Sequence, residues 1–439
     1  MLIYITGKSG SGKSTFSKQL AKELNYKYID VDDIGHKVYE YPEIMEKAYQ
    51  LFGTDINNEL GKFDRKKLGQ IVFSERHSKR VKAFSDLTWE YMKKLLDDEL
   101  VDNSVVDWIL LPHTKYWANN ALRILVKPQD EDLRFKKLMA RDNITEEYVK
   151  LRDKASIEYN ESEFDFVFTN DYNEEILKNN ISNVVNYINS AITLTILGTQ
   201  SPYAKENNAC PSFLLSNNQN NLLLDCGSGS HRFFDMNKLN NLGIVISHLH
   251  RDHYNDLYNY MYSSLVMKNH NKLNKPISIY LPTQPTHIYE DIKNEKLSFS
   301  DLIAIDDNKK YRFGCYEVEF LKTIHSTDVL SYAIKVKIDD NVIVYTGDCS
   351  YKSKQDIVKF SKNADVLICE ASFLGSHGFP KECNHLTALQ AGEIAKEANV
   401  KKLILSHFWP EEDTKNYYKE ARQIFDNVFI AKEKDIYLI

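Results

Sequence analysis

Residues 245–253 read Val-Ile-Ser-His-Leu-His-Arg-Asp-His, an apolar strand running straight into three histidines and an aspartate. So dense a polar cluster must converge on something that satisfies it, and imidazole with carboxylate is a donor set suited to zinc and similar ions. His248 and His250, two residues apart, can face one ion if the chain turns where the strand stops. Asp252 and His253 follow on that turn and can serve a neighbouring ion. The bland alternative is an exposed histidine-rich loop. Recurrence argues against it. His325 follows the apolar stretch 318–324, Asp348 closes Tyr345-Thr346-Gly347-Asp348, and His407 follows 402–406, each at the C-terminal end of a predicted strand.

A second constraint sits at the other end of the chain. Gly7-Lys8-Ser9-Gly10-Ser11-Gly12-Lys13-Ser14, with Thr15 next, joins an apolar strand at 2–6 to an amphipathic helix at 15–24. Glycines let the backbone wrap so that successive N–H groups point at phosphate oxygens, and the helix adds its N-terminal dipole. Lys13 can reach the β- and γ-phosphates of a nucleotide, and the Ser14 hydroxyl can join a Mg²⁺ shell. The placement between strand and helix separates this loop from a merely structural glycine turn. ATP with Mg²⁺ is the expected ligand.

With 439 residues the chain exceeds one ordinary core. Predicted strands at 2–6, 26–31, 105–111, 122–127 and 165–169 alternate with helical stretches. One of these, 43–100, is interrupted at Gly53, Gly61 and Gly69; others run over 131–159 and 174–188. Such alternation predicts an open parallel sheet with helices. Near residue 190 the character changes: ten of the 13 histidines lie beyond it, and strands at 194–197, 212–215 and 221–225 follow closely. The expected domains are 1–190 and 191–439.

Formal net charge is −6 with no long basic run, which argues against a protein held to nucleic acid by bulk charge. All six cysteines lie after residue 200 and none forms a CxxC pair, so free thiols in a reducing compartment are expected. No stretch approaches 18 consecutive apolar residues, so no membrane span is expected. The first residues lack a basic leader, and the cytoplasm is the expected location. A homo-oligomer is compatible with all of this.

The N-terminal half resembles dephospho-CoA kinase. Tyr28-Ile29-Asp30-Val31-Asp32-Asp33-Ile34-Gly35-His36 is similar to that family's DADxIA(R/H) segment, and Phe52-Gly53 with Gly61-Lys62-Phe63-Asp64-Arg65 to its FG…DGxLDR element. Arg134 and Arg141-Asp142 resemble its lid, and Phe166-Val167-Phe168-Thr169-Asn170 its late strand. The resemblance implies a P-loop nucleoside-monophosphate-kinase-like fold. It implies that Asp32 orients or deprotonates the attacking hydroxyl, that Arg65 holds the acceptor, and that Arg134 and Arg141, with Lys13, stabilise the transferring phosphate. The implied acceptor is dephospho-CoA. Two elements depart from the pattern: where the family has a His-Pro pair in its middle helical region this chain reads Phe84-Ser85-Asp86-Leu87-Thr88-Trp89, and the family's DxPLLxE strand end appears as Asp107-Trp108-Ile109-Leu110-Leu111-Pro112-His113, with Ile109 for proline and His113 for glutamate. Both fall on the acceptor side.

The C-terminal half resembles the metallo-β-lactamase superfamily, whose fold is an αββα sandwich. By that resemblance His248, His250 and His325 hold one Zn²⁺ or Mn²⁺, Asp252, His253 and His407 hold a second, and Asp348 bridges them, while Asp225 orients a ligand histidine. Asn384-His385-Leu386-Thr387-Ala388 resembles a segment of the tRNA 3′-processing endonuclease branch and its phosphodiesterase relatives. There the histidine contacts the scissile phosphate or protonates the leaving group, which gives His385 that role; Asp252 is the other residue expected to act in catalysis. The glycine-rich arm with which the endonucleases grip tRNA has no counterpart between Asp252 and His407, so a small or nucleotide-like phosphodiester is favoured over RNA.

The whole reads as an α/β two-domain enzyme, an ATP-dependent kinase joined to a dinuclear metal hydrolase. Two alternatives stay open. One is a nucleotide-binding regulatory domain on a metal-dependent hydrolase, motivated by the changes at Ile109 and His113; the other is a tRNA 3′-processing-type endoribonuclease.

Overall fold

The computed structural model describes residues 1–75, 78–101, 103–114, 116, 121–154, 158–217, 219–378 and 383–439. The chain divides into two compact units, Met1–Ile188 and Asn189–Ile439. No helix among the described residues is long and apolar enough to cross a membrane.

The first unit is a five-stranded, all-parallel sheet with flanking helices. Its central strand is Leu2–Thr6, between Ser104–Asp107 and Ala121–Pro128, with Lys27–Asp30 and Phe166–Asn170 at the edges. Parallel strands put all their C-terminal ends on one edge, where open α/β sheets bind ligands. The third strand is shorter than its apolar run suggests. It ends at Asp107, and Trp108 and Leu111 instead fill a cluster with Tyr4, Ile29 and Leu96. Apolarity there reflects burial under a helix, which periodicity does not distinguish from a strand. Stretch 43–100 resolves into Pro42–Phe52, Arg65–Ser74 and Lys79–Glu99; Gly69 lies inside the second helix and does not break it. Stretch 131–159 contains two helices, Glu131–Asp142 and Glu146–Lys154, and its residues 155–157 lie outside the described residues.

The second unit is two seven-stranded sheets with helices outside them, an αββα sandwich. Between the sheets lies a dry core fed by alternate residues of both, among them Phe213, Leu215, Leu222, Ile334, Tyr345 and Ile368. The Phe213 and Tyr345 rings meet at 4.9 Å. The opposite faces of the strands bury under helices: Leu257–Asn269 on one side, Ala388–Glu397 and Thr414–Ala421 on the other. Both faces of the inner strands are therefore apolar. That is why they read as continuous hydrophobic runs.

Strand direction makes the site. Tyr316–Thr323 and Asn341–Tyr345 both run antiparallel to Ser331–Ile338, so they run the same way as each other. Val366–Glu370 and Lys402–Ser406 follow in parallel. In the other sheet Asn221–Leu224 pairs in parallel with Leu242–Val245. Each of these strands except Ser331–Ile338 is followed by, or ends in, one of the polar residues described next.

Candidate functional site

In the second unit the sequence-predicted donors come together in two groups. Ligand atoms of His248, His250, His325 and Asp348 lie within 4.8 Å of one another, as do those of Asp252, His253 and His407. Asp348 also forms a group with His385 and His407. Its Oδ2 stands 3.6 Å from His248 Nε2, 3.8 Å from His325 Nε2 and 3.4 Å from His253 Nε2, and its Oδ1 is 3.0 Å from His407 Nε2. One carboxylate thus touches both halves of the cluster.

The imidazoles are aimed from behind. His253 Nδ1 donates to Asp225 Oδ2 at 2.7 Å, and His325 Nδ1 to the Asn384 carbonyl at 2.9 Å. Ser247 Oγ donates to Asp225 (2.7 Å) and so accepts from His248 Nδ1 (3.1 Å). Ser372 Oγ donates to Glu370 (2.8 Å) and so accepts from His407 Nδ1 (2.8 Å). With every outer N–H engaged, four Nε2 atoms are left facing the centre, and outer hydrogen bonds of this kind fix ring orientation in metal sites. His250 differs in presenting Nδ1, 3.0 Å from His248 Nε2 and 3.1 Å from His325 Nε2.

These residues fit metal ions better than they fit one another. At most one proton can lie between each pair of facing nitrogens, and His325 has already committed its Nδ1 proton outward. Asp348 Oδ1 is buried without a well-aligned hydrogen bond, although His407 lies 3.0 Å away. Burial alone would keep His253 and His407 neutral, but Asp348 and Asp252, with Asp225 at His253 and Glu370 at His407, outweigh it. His253 is held well above the usual histidine range and His407 is pushed up to about 10. Burial, with the neighbouring imidazoles, lowers His248 and His250. His253 Nε2 and His407 Nε2 face each other at 3.2 Å, so ions that bind there must displace the proton held between them. Loading should therefore release protons and weaken on acidification. Calorimetry in buffers of different ionisation enthalpy measures this; release of no protons would contradict it.

Glu370 was not among the sequence candidates. It is buried at the end of its strand, accepts the Cys349 N–H (2.7 Å) on Oε1, and on Oε2 accepts Ser372 Oγ and His385 Nδ1, the latter at 3.1 Å. Burial would lower the His385 pKa, but the Glu370 carboxylate and its hydrogen bond, with Asp348, raise it. His385 is 26% exposed, on the open side of the cluster. The signal that could have found Glu370 is the one that found the ligands, a polar residue ending an apolar strand.

In the first unit a cavity of about 690 Å³ is lined by Ser9, Gly10, Gly12, Lys13, Ser14, Thr15, Asp30, Asp32, Arg141, Asn170 and Tyr172, among others. Gly7 and Ser11, in the same loop, are buried and do not line this cavity. Gly12 needs to be glycine: its φ is +90°, and a Cβ there would sit 2.0 Å from Asn170 Nδ2. Loop carbonyls are pinned outward by Arg134 to Ser9 (2.9 Å), Tyr172 to Gly10 (2.9 Å) and Asn170 to Ser11 (2.8 Å). Lys13 Nζ pairs with Asp107 Oδ1 at 2.7 Å, both buried. Asp107, given no role from sequence, ends the strand beside the loop as Glu370 ends its own. Asp32 opens onto the cavity by surface area, yet surrounding protein desolvates it and raises its pKa, opposed by Lys13 and reinforced by Asp30 and Asp107. Arg141 lines the same cavity, paired with Asp142 at 2.7 Å.

Two expectations change. Arg134 is fully buried, spent on Ser9, Glu131 and Asp153, and does not line the cavity; it braces the loop from behind. Arg65 begins an exposed helical turn, faces solvent, and lines no part of this cavity. The altered His113 is exposed outside it as well.

Fold and site define two classes: a P-loop nucleotide-binding domain, and a metal-dependent hydrolase of the metallo-β-lactamase type with a dinuclear centre. Residues 192–427, more than half the chain, match the family described as anti-Pycsar protein Apyc1, and the chain belongs to that family. Residues 1–175 match the dephospho-CoA kinase family. The chain is 31% identical to the probable metallo-hydrolase YhfI of Bacillus subtilis over 54% of this chain and 96% of that protein. It is 29% identical to ribonuclease Z of Chlamydia trachomatis serovar L2 over 55% of this chain and 95% of that one. The crystal structure of YhfI superposes with a TM-score of 0.52 at 28% identity, covering 57% of this chain and all of that one.

Proposed function

We propose that the second domain hydrolyses a phosphodiester, small or nucleotide-like, and that the first binds ATP and Mg²⁺. The observation that carries the reading is the pairing of a two-part metal cluster with a separate histidine, His385, backed by buried Glu370 on its open side. His248, His250 and His325 would hold one ion and Asp252, His253 and His407 the other, with Asp348 between; a nitrogen-rich set with carboxylates suits Zn²⁺ or Mn²⁺. Bound ions supply an acidified water and offset charge on the phosphate. The chain's own part follows. Glu370 raises the pKa of His385 against the effect of burial, which favours the proton that His385 can give to the leaving oxygen. Asp225, Ser247 and Ser372 hold the imidazoles in the required tautomer.

For the first domain, regulation by a bound nucleotide is the simpler role, since the acceptor-side positions Ile109 and His113 are altered. Phosphoryl transfer to dephospho-CoA is the second reading, favoured by Lys13, Ser14, Asp32 and Arg141 sharing one cavity. If the domain transfers, Asp32 must be ionised to take the hydroxyl proton. Because its pKa is raised, the rate should fall with acidification at a midpoint above about 4, the usual carboxylate value. An acid limb at or below that value would count against Asp32 as the base.

RNA stands beside the small phosphodiester as a substrate, favoured by the similarity to ribonuclease Z. One screen separates these readings: wild type, Asp32→Ala and His248→Ala, each given ATP with dephospho-CoA, small phosphodiesters and a precursor tRNA. Metal-dependent hydrolysis lost only in His248→Ala supports the proposal. No hydrolysis of any phosphodiester removes it, and no acceptor-dependent ATP turnover removes the kinase.

A further inference from the structure

Two aromatic rings stand exposed beside the metal cluster. Tyr203 is 45% and Trp409 40% exposed, with ring centroids 5.9 Å apart and edge to face. Exposed Trp is costly in apolar surface left wet, and neither ring packs into the cores of this domain. Their position is fixed by the ligands. Ser201 donates to the metal-facing Asp252 at 2.7 Å, and Tyr203 lies two residues on. His407 faces the centre, Phe408 is buried against Tyr417, and Trp409 follows on the outer side. The two segments are zipped together by Ser201 N–H to Phe408 O (3.0 Å) and Phe408 N–H to Thr199 O (2.8 Å). Tyr203 is further steadied by its hydroxyl on Glu411 Oε1 (3.3 Å), while Lys205 holds Glu411 Oε2 at 2.8 Å.

We propose that Tyr203 and Trp409 form a platform that stacks the nucleobase of a phosphodiester whose phosphate sits at the metal cluster. This rests on the phosphodiesterase reading and narrows its substrate to esters carrying a nucleoside next to the scissile phosphate. The chemistry is that of other sites that read bases by their faces: every base offers a π-surface, and one such stack is worth ~1–3 kcal/mol. A platform of this kind is held by backbone and side-chain hydrogen bonds before the ligand arrives, which lowers the ordering cost of binding. It favours a nucleoside without choosing strongly among bases.

The test compares two esters with the same leaving group: thymidine 5′-(p-nitrophenyl) phosphate and methyl p-nitrophenyl phosphate. The measured quantity is the ratio of their kcat/KM values with metal-loaded protein. Wild type should favour the thymidine ester at least about tenfold, Trp409→Ala should lower that ratio about tenfold, and Trp409→Phe should keep most of it. Thymidine 5′-phosphate should also quench tryptophan emission in the wild type more than in Trp409→Phe. A wild-type ratio near one, or a ratio unmoved by Trp409→Ala and Tyr203→Ala, overturns the platform and leaves phosphodiester hydrolysis standing. Hydrolysis of neither ester by metal-loaded wild type overturns both.

Discussion

Asp348→Asn should cut phosphodiester hydrolysis by at least about 10³-fold, some 4 kcal/mol of transition-state stabilisation, while leaving nucleotide binding by the first domain in place. Asp348 is the residue whose loss reaches both halves of the centre. Its two oxygens contact His248, His253, His325 and His407. Asparagine keeps the shape but removes the negative charge, and one of its two terminal atoms is no longer an acceptor. The variant should also bind fewer ions per chain. Side-by-side kcat/KM, metal content and nucleotide affinity check this. Retention of a tenth or more of the wild-type rate with full metal content would mean the bridge is not needed.

His385→Ala should separate proton donation from metal chemistry. A general acid contributes about 10²–10⁴-fold, and only where the leaving group needs a proton. With an alkoxide leaving group, such as a ribose oxygen, the variant should lose ~10²-fold or more. With p-nitrophenolate, which leaves without help, the loss should stay within about threefold. Glu370→Gln should follow the same pattern more mildly, since it removes a charge that raises the His385 pKa. Equal losses on both leaving groups would make His385 a binding residue rather than an acid.

The candidate metal donors were legible in the sequence because they follow one rule: a polar donor at the end of an apolar strand or on the turn that follows it. The rule works because the strands bearing them run the same way. The glycine loop was legible for a similar reason, being local. What escaped depends on pairing across long stretches of chain. Glu370 and Asp107 obey the strand-end rule, but nothing local says that one would back His385 and the other hold Lys13. Arg134 misled in the opposite direction. A lid arginine and a buried brace look alike in sequence, and only burial against Ser9 and Asp153 tells them apart. The run from Val105 to Leu111 failed as a strand beyond Asp107 because its later apolar residues pack against helices.

The central claim is that the second domain works with two ions held in one cluster. Metal-free protein, without nucleotide, should be titrated with Mn²⁺, with bound metal and hydrolysis of thymidine 5′-(p-nitrophenyl) phosphate measured on the same samples. The structure predicts saturation at two ions per chain, with hydrolysis rising as the second binds, and in His248→Ala fewer ions bound and hydrolysis lost. Saturation at a single ion, or full hydrolysis in rigorously metal-free protein, would contradict it.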